Sequence, residues 1–243
     1  MRICAVIPTF ENAATLEDVV RAVREHVEDV IVVDDGSGPE ARAVAERLAT
    51  AGLARVVFRP HNGGKGAAVK TGLERARDDG FSHALQVDAD GQHHTADIPR
   101  LLRESREDPA ALVLGQPIFD ASAPISRRIA RKISVFWCAV ETLSRRIGDP
   151  LCGFRVYPVA ATLDARARGN AMDFDPEVAV RLAWAGHPVR HVPTRVRYVP
   201  RDEGGVSHYR LVRDTMLISV MHATLCFLGL ARLVRWPARR NIQ

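Results

Sequence analysis

Short apolar runs alternate with longer stretches of helical periodicity through the first half of the chain. Apolar runs at 3–7, 30–33, 55–58, 84–87 and 111–114 have strand length. Between them, 14–26, 40–51, 65–78 and 95–106 place apolar side chains three and four residues apart, the spacing of one helix face. Strands separated by helices predict βαβ units and a mainly parallel sheet, an α/β fold. The strand runs are continuously apolar rather than alternating, which implies helices on both faces of the sheet. Ligands bind such sheets beyond the carboxyl ends of the strands. The sequence turns polar there: "PTFEN" follows the first run, "DDGSG" the second, "RPHNGGKG" the third and "DADGQ" the fourth.

The pattern changes near residue 115. Ile125, Ile129, Ile133, Val140 and Leu143 share helical spacing and predict one long amphipathic helix over 125–146. The stretch "GDPLCGFRVYP" then reads as a loop, 176–185 as a helix and 187–200 as extended chain. The tail from Tyr209 contains "MLISVMHATLCFLGLARLVRW", flanked by Arg210, Arg213, Arg232, Arg235, Arg239 and Arg240. Its uninterrupted apolar core of about fifteen residues is shorter than the ~20 that a spanning helix needs. It reads as an interfacial helix held by arginines at anionic headgroups, with a core helix or an oligomer contact as the alternatives. No internal repeat or low-complexity linker interrupts the chain. The organisation expected is one domain over 1–208 and a basic amphipathic extension over 209–243.

Composition narrows the classes. With 243 residues, 47% of them hydrophobic, the chain can bury a sizeable core. The formal net charge of +5, carried mainly by arginine, favours phosphates or anionic surfaces. Positive charge unaccompanied by a recognition motif argues against nucleic acid. Cys4, Cys138, Cys152 and Cys226 are scattered and form no CxxC pair, which suits a reducing compartment. The opening "MRICAVIPTF" breaks at Pro8 and reads as a first strand rather than a signal peptide.

The polar clusters carry the chemistry. Asp88 and Asp90, on alternate residues after a strand, can present oxygens to one divalent cation such as Mg²⁺ or Mn²⁺. An Asx-turn closed by Asp90 and Gly91 is the alternative. His93 and His94 point apart and have no cysteine nearby, so surface or supporting roles suit them better than zinc. Asp34 and Asp35 sit where a crevice would open and can accept hydrogen bonds from a base or a ribose; a helix N-cap is the alternative. "NGGKG" is a glycine-rich turn opening a helix, whose amides and Lys65 can face a phosphate. Neither GxxxxGK[ST] nor GxGxxG is present.

The order of these pieces is more specific than any one of them. "VIPTFENAATL", "VVDDGSG", "NGGKGAAVKTGL" and "VDADGQH" follow successive strands, and "DPLCGFRVYP", "MDFDPEVAVRLAWAG" and "GGVSHYR" come later. Over roughly residues 3–210 the chain resembles family 2 glycosyltransferases of the GT-A fold, and among them the polyprenyl-phosphate sugar transferases such as dolichyl-phosphate mannose synthase. The resemblance implies that Pro8, Phe10 and Glu11 border the nucleobase, with Asp35 reading it and Asp34 beside it. It implies that Asp88 contacts ribose or metal across Ala89, that Asp90 is the principal metal ligand and that Gln92 assists. Glu11 stands where many members carry asparagine. Arg201 and the "GGVSHYR" loop, with Ser207 and His208, resemble the segment that closes over the donor diphosphate.

On the acceptor side, "SRRIARK" places Arg127, Arg128 and Arg131 in a region where the resemblance implies lipid-phosphate contacts; a solvated basic face is the alternative. Asp175 and Glu177, with Asp173, are candidate general bases. A hydroxyl acceptor needs such a base, whereas a phosphate acceptor does not, and either residue can instead cap the next helix. The expectation is an inverting, metal-dependent enzyme. It would move a sugar from a GDP- or UDP-linked donor to a lipid-linked or polyprenyl-phosphate acceptor, as a peripheral protein on the cytoplasmic face of the cell membrane. A noncatalytic sugar-nucleotide-binding protein and a sugar-nucleotidyltransferase are the rival classes. The second should carry a glycine- and arginine-rich loop where this chain has "PTFEN".

Overall fold

The structure, a computed structural model, describes residues 1–118, 125–196 and 210–235; of 125–128, 130, 211 and 233–235 it describes the backbone alone. Four βα units come first. They are β1 (Ile3–Thr9) with α1 (Leu16–Arg24), β2 (Val30–Asp34) with α2 (Pro39–Thr50), β3 (Arg55–Phe58) with α3 (Lys65–Asp78), and β4 (His83–Gln86) with α4 (Ile98–Glu107). Then follow β5 (Leu112–Ile118), α5 (Ile125–Thr142), β6 (Arg155–Pro158), α6 (Val159–Asp164), α7 (Phe174–Trp184), β7 (Val189–Arg195) and α8 (Leu211–Arg235).

The strands form one seven-stranded sheet in the order β3-β2-β1-β4-β6-β5-β7. All neighbours are parallel except the pairs made by β6, which runs antiparallel to both β4 and β5. The strand alternation divides the core. Ala5, Ile7, Val30 and Val32 point to the face covered by α1, α2 and α4, whereas Cys4, Val6, Ile31 and Val33 point to the face covered by α3, α5, α7 and α8. Helices on both faces explain why these strands read as unbroken apolar runs. Burial is complete at positions such as Leu85 and Leu101, where truncation to alanine costs about 2–5 kcal/mol.

Local chemistry sets the helices. Leu16, Val19, Val20 and Val23 form the buried stripe of α1. Pro39 opens α2, where its missing N–H would be an orphan in any case. Gly72 lets α3 lie close on the sheet, since a Cβ there would meet Val6 Cγ1 at 2.4 Å.

α6 has no counterpart in the sequence reading, and three further elements differ from it. The stretch read as a loop contains β6. The long helix ends at Thr142 rather than 146, and its apolar stripe points outward: Ile129, Ile133 and Val140 are 42% to 54% exposed, and Leu143, just past its end, is 71% exposed. Its inner face is Ser134, Cys138 and Glu141. The tail is a 25-residue helix, longer than the apolar run suggested. Its segment Val212–Arg232, 21 residues of mean hydropathy 1.5, is long and apolar enough to cross a membrane. One face of α8 is nevertheless covered by protein: Asp214, Ile218, Met221, His222 and Leu225 are buried, and the helix contacts α5 and α7.

Candidate functional site at the carboxyl ends of the strands

Because β6 runs against its neighbours, its first residue lies where the parallel strands end. Gln86 at the end of β4 is paired with Arg155 at the start of β6. The loop preceding β6 therefore meets the loop that follows β4, and Gly153 comes against Asp88. A Cβ on Gly153 would lie 2.1 Å from Asp88 Oδ2.

Asp88 is the hub. Lys65, the first residue of α3, donates from Nζ to its carboxylate at 2.8 Å and reaches Asp175 Oδ2 at 3.2 Å. Gln86 Nε2 donates to Asp88 Oδ1 at 3.4 Å, and His93 Nε2 lies 3.6 Å from Oδ2. Burial works against ionisation of Asp88, but Lys65 and His93 outweigh it and hold the carboxyl well below its usual range. Lys65 is the reciprocal case. Burial opposes its charge, and Asp175 with Asp88 more than restores it.

Asp90 behaves oppositely. Its Oδ1 accepts the Gln92 amide at 3.0 Å. Burial first, and then the negative charge of Asp88, raise its pKa. Ala89 between them is buried, and its carbonyl accepts from Thr15 Oγ1 at 2.6 Å, which ties the turn to the start of α1. His93 stacks on Phe154 with ring centroids 5.0 Å apart and forms an isolated bridge with Val196. It supports Asp88 from behind, whereas His94 is exposed.

Asp175, at the start of α7, joins the same cluster. It is 3% exposed, lies 3.8 Å from Arg155 Nη1, and its Oδ1 accepts from the Tyr157 hydroxyl at 3.3 Å. Tyr157 also donates to Gln86 Oε1 at 2.9 Å. Arg155 is fully buried and spends its guanidinium on the carbonyls of Pro150, Cys152 and Asp175. Glu177 is engaged elsewhere. Its Oε2 accepts the amides of Arg168 and Gly169 at 2.8 and 2.7 Å, and Oε1 accepts from Arg181 Nε at 2.6 Å. It organises the loop before α7, which leaves Asp175 as the carboxylate beside Lys65.

The residues expected around a base lie across the same crevice. Asp35 is almost fully buried. It ion-pairs with Arg59 and accepts the amides of Gly63 and Gly64, the latter at 2.8 Å. Asp34 accepts the Ser37 amide at 3.3 Å through Oδ1, while its buried Oδ2 has no partner among the described residues. Glu11 adopts a left-handed backbone (φ 54°) and its Oε1 accepts the Gly38 amide at 2.7 Å, so its carboxylate sits at the N-terminus of α2. Pro8 is buried in β1 and Phe10 is half-buried beyond it.

On the acceptor side, Arg127 and Arg128 lie on the first turn of α5, with side chains outside those described. Arg131 ion-pairs with Asp149, in the loop that leads to Gly153. Arg201, Ser207 and His208 lie outside the described residues. Arg59, Gln86, Gly153, Arg155 and Tyr157 are the site residues that the sequence reading passed over. "CGFRVY" held the signal for three of them, and only the reversed strand reveals it.

The family model for "Glycosyl transferase family 2" matches residues 4–158. The chain is 28% identical over 215 residues to an undecaprenyl-phosphate mannosyltransferase of Micrococcus luteus, covering 84% of this chain and 86% of the relative. It is 35% identical over 105 residues to a polyprenol monophosphomannose synthase of Mycolicibacterium smegmatis, covering 42% and 40%. Among solved structures it resembles glucosyl-3-phosphoglycerate synthase of Mycobacterium tuberculosis in complex with Mn²⁺, UDP-glucose and glycerol 3-phosphate. The TM-score is 0.68 at 19% identity, over 93% of this chain and 80% of the other. At that identity the likeness carries the fold alone, and the fold is GT-A.

Proposed function

The chain belongs to glycosyl transferase family 2, and on that premise we propose that it transfers a sugar, with inversion, from a nucleoside-diphosphate sugar to a polyprenyl-phosphate acceptor at the cytoplasmic face of the membrane. The observation that carries this reading is the convergence of Asp88, Asp90, Lys65 and Asp175 in one crevice at the carboxyl ends of the parallel strands. The name of the Micrococcus luteus relative supports the acceptor class.

The donor set suits a hard divalent cation, Mg²⁺ or Mn²⁺. Carboxylate oxygens of Asp88 and Asp90 lie close enough for one charge to raise the other's pKa, and Gln92 adds a carboxamide. When bound, such a cation neutralises charge on the departing nucleoside diphosphate. Lys65 supplies a fixed positive charge to the same diphosphate. Asp35 and Asp34, with Pro8, Phe10 and Glu11, form the wall on which a GDP or UDP base would rest. Arg201, Ser207 and His208 complete the reading as groups on the donor or acceptor phosphates, and Arg127, Arg128 and Arg131 hold the lipid phosphate. A phosphate oxygen is already an anion, so Asp175 orients Lys65 and needs to remove no proton.

The domain over 1–208 would carry the chemistry and the extension over 209–243 the membrane contact. Phe136 on α5 and Leu143 just after it are 59% and 71% exposed, as are Met216 and Phe227 on α8 at 62% and 74%. An outward apolar face on two packed helices, with Arg213 and Arg232 exposed on α8, suits a helix pair lying on an anionic bilayer. The test uses labelled UDP- and GDP-sugars with vesicles containing either undecaprenyl phosphate or undecaprenol, in Mn²⁺ or in EDTA. Label should enter lipid only with the phosphate and the cation. Transfer to undecaprenol alone would make the acceptor a hydroxyl and Asp175 its base. Transfer to neither lipid, with nucleotide binding intact, would overturn the lipid acceptor.

A further inference from the structure

Away from the crevice, beneath the exposed apolar face, α5 and α8 bring four metal-ligating side chains together. Cys138 and Glu141 are three residues apart on α5, and His222 and Cys226 four apart on α8, so each pair shares one helix face. The ligand atoms of Cys138, Glu141 and His222 lie within 4.8 Å of one another, and all three residues are buried. His222 Nδ1 is 2.8 Å from Glu141 Oε1, and Cys226 Sγ is 4.0 Å from the same oxygen. A buried glutamate–histidine pair accounts for one carboxylate oxygen and one ring nitrogen. It leaves Glu141 Oε2, which is buried with no hydrogen-bond partner among the described residues, and it leaves the two converging thiols. Buried polar atoms are rarely left so.

We propose that Cys138, Glu141, His222 and Cys226 form a structural Zn²⁺ site that clamps α8 to α5. Thiolate, imidazole and carboxylate are the donors zinc takes, four at a time, in closed sites. Tetrahedral bonds of the usual lengths put ligand atoms about 3.3–3.8 Å apart, so the cluster closes onto the ion with small side-chain rotations. The support of the histidine is in place: its Nε2 lies 3.4 Å from Ser134 Oγ, which fixes the ring with Nδ1 toward the other ligands. Cys226 is half-buried and gives the ion a way in. Both thiols would release their protons to solvent on binding. Because this site shares no residue with the crevice, it stands or falls apart from the transferase reading.

The test is spectroscopic, on tag-free full-length protein. Zinc should stay with the chain stoichiometrically after dialysis. Cobalt in its place should give a thiolate-to-metal charge-transfer band, which the all-oxygen crevice site cannot produce, and the band should persist in Asp90→Asn. His222→Gln and Cys138→Ser should lose the band and the retained zinc. Cys226→Ser, at the more exposed ligand, serves if those variants do not fold, and should weaken the band. Folded wild-type protein that binds cobalt without a charge-transfer band, or zinc retained equally by wild type and Cys226→Ser, would overturn the site.

Discussion

Replacing Gly153 by alanine brings a Cβ to 2.1 Å from Asp88 Oδ2, where real Cβ contacts under 3.0 Å essentially never occur. Something must therefore move by about 1 Å, and in a close-packed interior the softest neighbour moves. That neighbour is the end of a side chain, so Asp88 rotates and the backbone stays. Rotation loosens the 2.8 Å contact with Lys65 and the 3.4 Å hydrogen bond from Gln86. The stability lost is of the size of one partly exposed charge-assisted hydrogen bond, ~1–2 kcal/mol, or roughly 2–8 °C in Tm for a domain of this size. Activity should suffer far more. A displacement of about 1 Å in a positioned group can cost 10²-fold in rate, equivalent to about 2.7 kcal/mol of barrier. Initial rates with saturating Mn²⁺ give kcat/KM, and calorimetry gives Tm. Gly52→Ala is the contrast: at a φ of +66°, with nothing among the described residues within 4 Å of the added Cβ, it carries backbone strain without a clash, whereas Gly153 is not at positive φ and carries the clash without that strain. Gly153→Ala with kcat/KM within twofold of wild type would refute the placement of Asp88 in the chemistry. A Tm loss above about 15 °C would show instead that the loop before β6 holds the fold together.

Three further outcomes follow from the same geometry. Asp90→Asn should abolish turnover yet raise the Tm of metal-free protein at neutral pH. A raised folded pKa penalises the ionised form there, so the gain should start to shrink as pH falls through that pKa and be gone below the ordinary carboxylate value, where Asp90 is protonated folded and unfolded alike; equal Tm values across the range would contradict the repulsion with Asp88. Glu177→Gln should behave as a stability variant, losing about 1–3 kcal/mol from its hydrogen bonds to Arg168, Gly169 and Arg181. Its kcat should be unchanged at a temperature where it is folded, and a hundredfold fall in kcat with wild-type Tm would make it a catalytic residue. Phe136→Glu combined with Phe227→Glu, both at exposed positions, should leave Tm within about 2 °C of wild type. The double variant should no longer co-sediment with anionic vesicles, and undiminished sedimentation would remove the α5–α8 face as the contact.

The four βα units are legible in the sequence because β1, β2 and β4 are buried on both faces, the edge strand β3 is still a short apolar run, and each helix has one apolar stripe, so periodicity marks them. β6 is not, for a physical reason. Its four residues begin with an arginine that is fully buried, and burial is tolerable only because the carbonyls of Pro150, Cys152 and Asp175 receive the guanidinium. Those partners come from the chain before the strand and from a helix twenty residues on. The helix over α5 is legible too, but not which way it faces. Periodicity reports a stripe, and only the pairing of Glu141 with His222, eighty-one residues on, shows that the polar side is the inner one. Asp175 and Glu177 look interchangeable in "MDFDPE". They stand about half a helical turn apart, which aims one at Lys65 and the other at the amides of its own preceding loop.

Charge balance gives the paired aspartates different parts to play. Asp88, Asp90 and Asp175 place three carboxylates around two fixed cations, Lys65 and Arg155. Asp175 draws on both cations and Asp88 draws on Lys65, so the deficit falls on Asp90. Burial first, and then the charge of Asp88, raise the pKa of Asp90, while Lys65 and His93 hold that of Asp88 down, although the two sit one residue apart. A crevice with one carboxylate in excess repels a diphosphate, and a divalent cation on Asp90 reverses its sign. Among the described residues, Asp90 is thus the one of the three carboxylates without an ion pair. An Asx-turn alone would not require that, since a turn needs the Asp90 side chain only to accept the Gln92 amide. The uncompensated charge on Asp90 is the part of "DADGQ" that turn chemistry leaves over, and it is what makes the motif a cation site on the proposed reading.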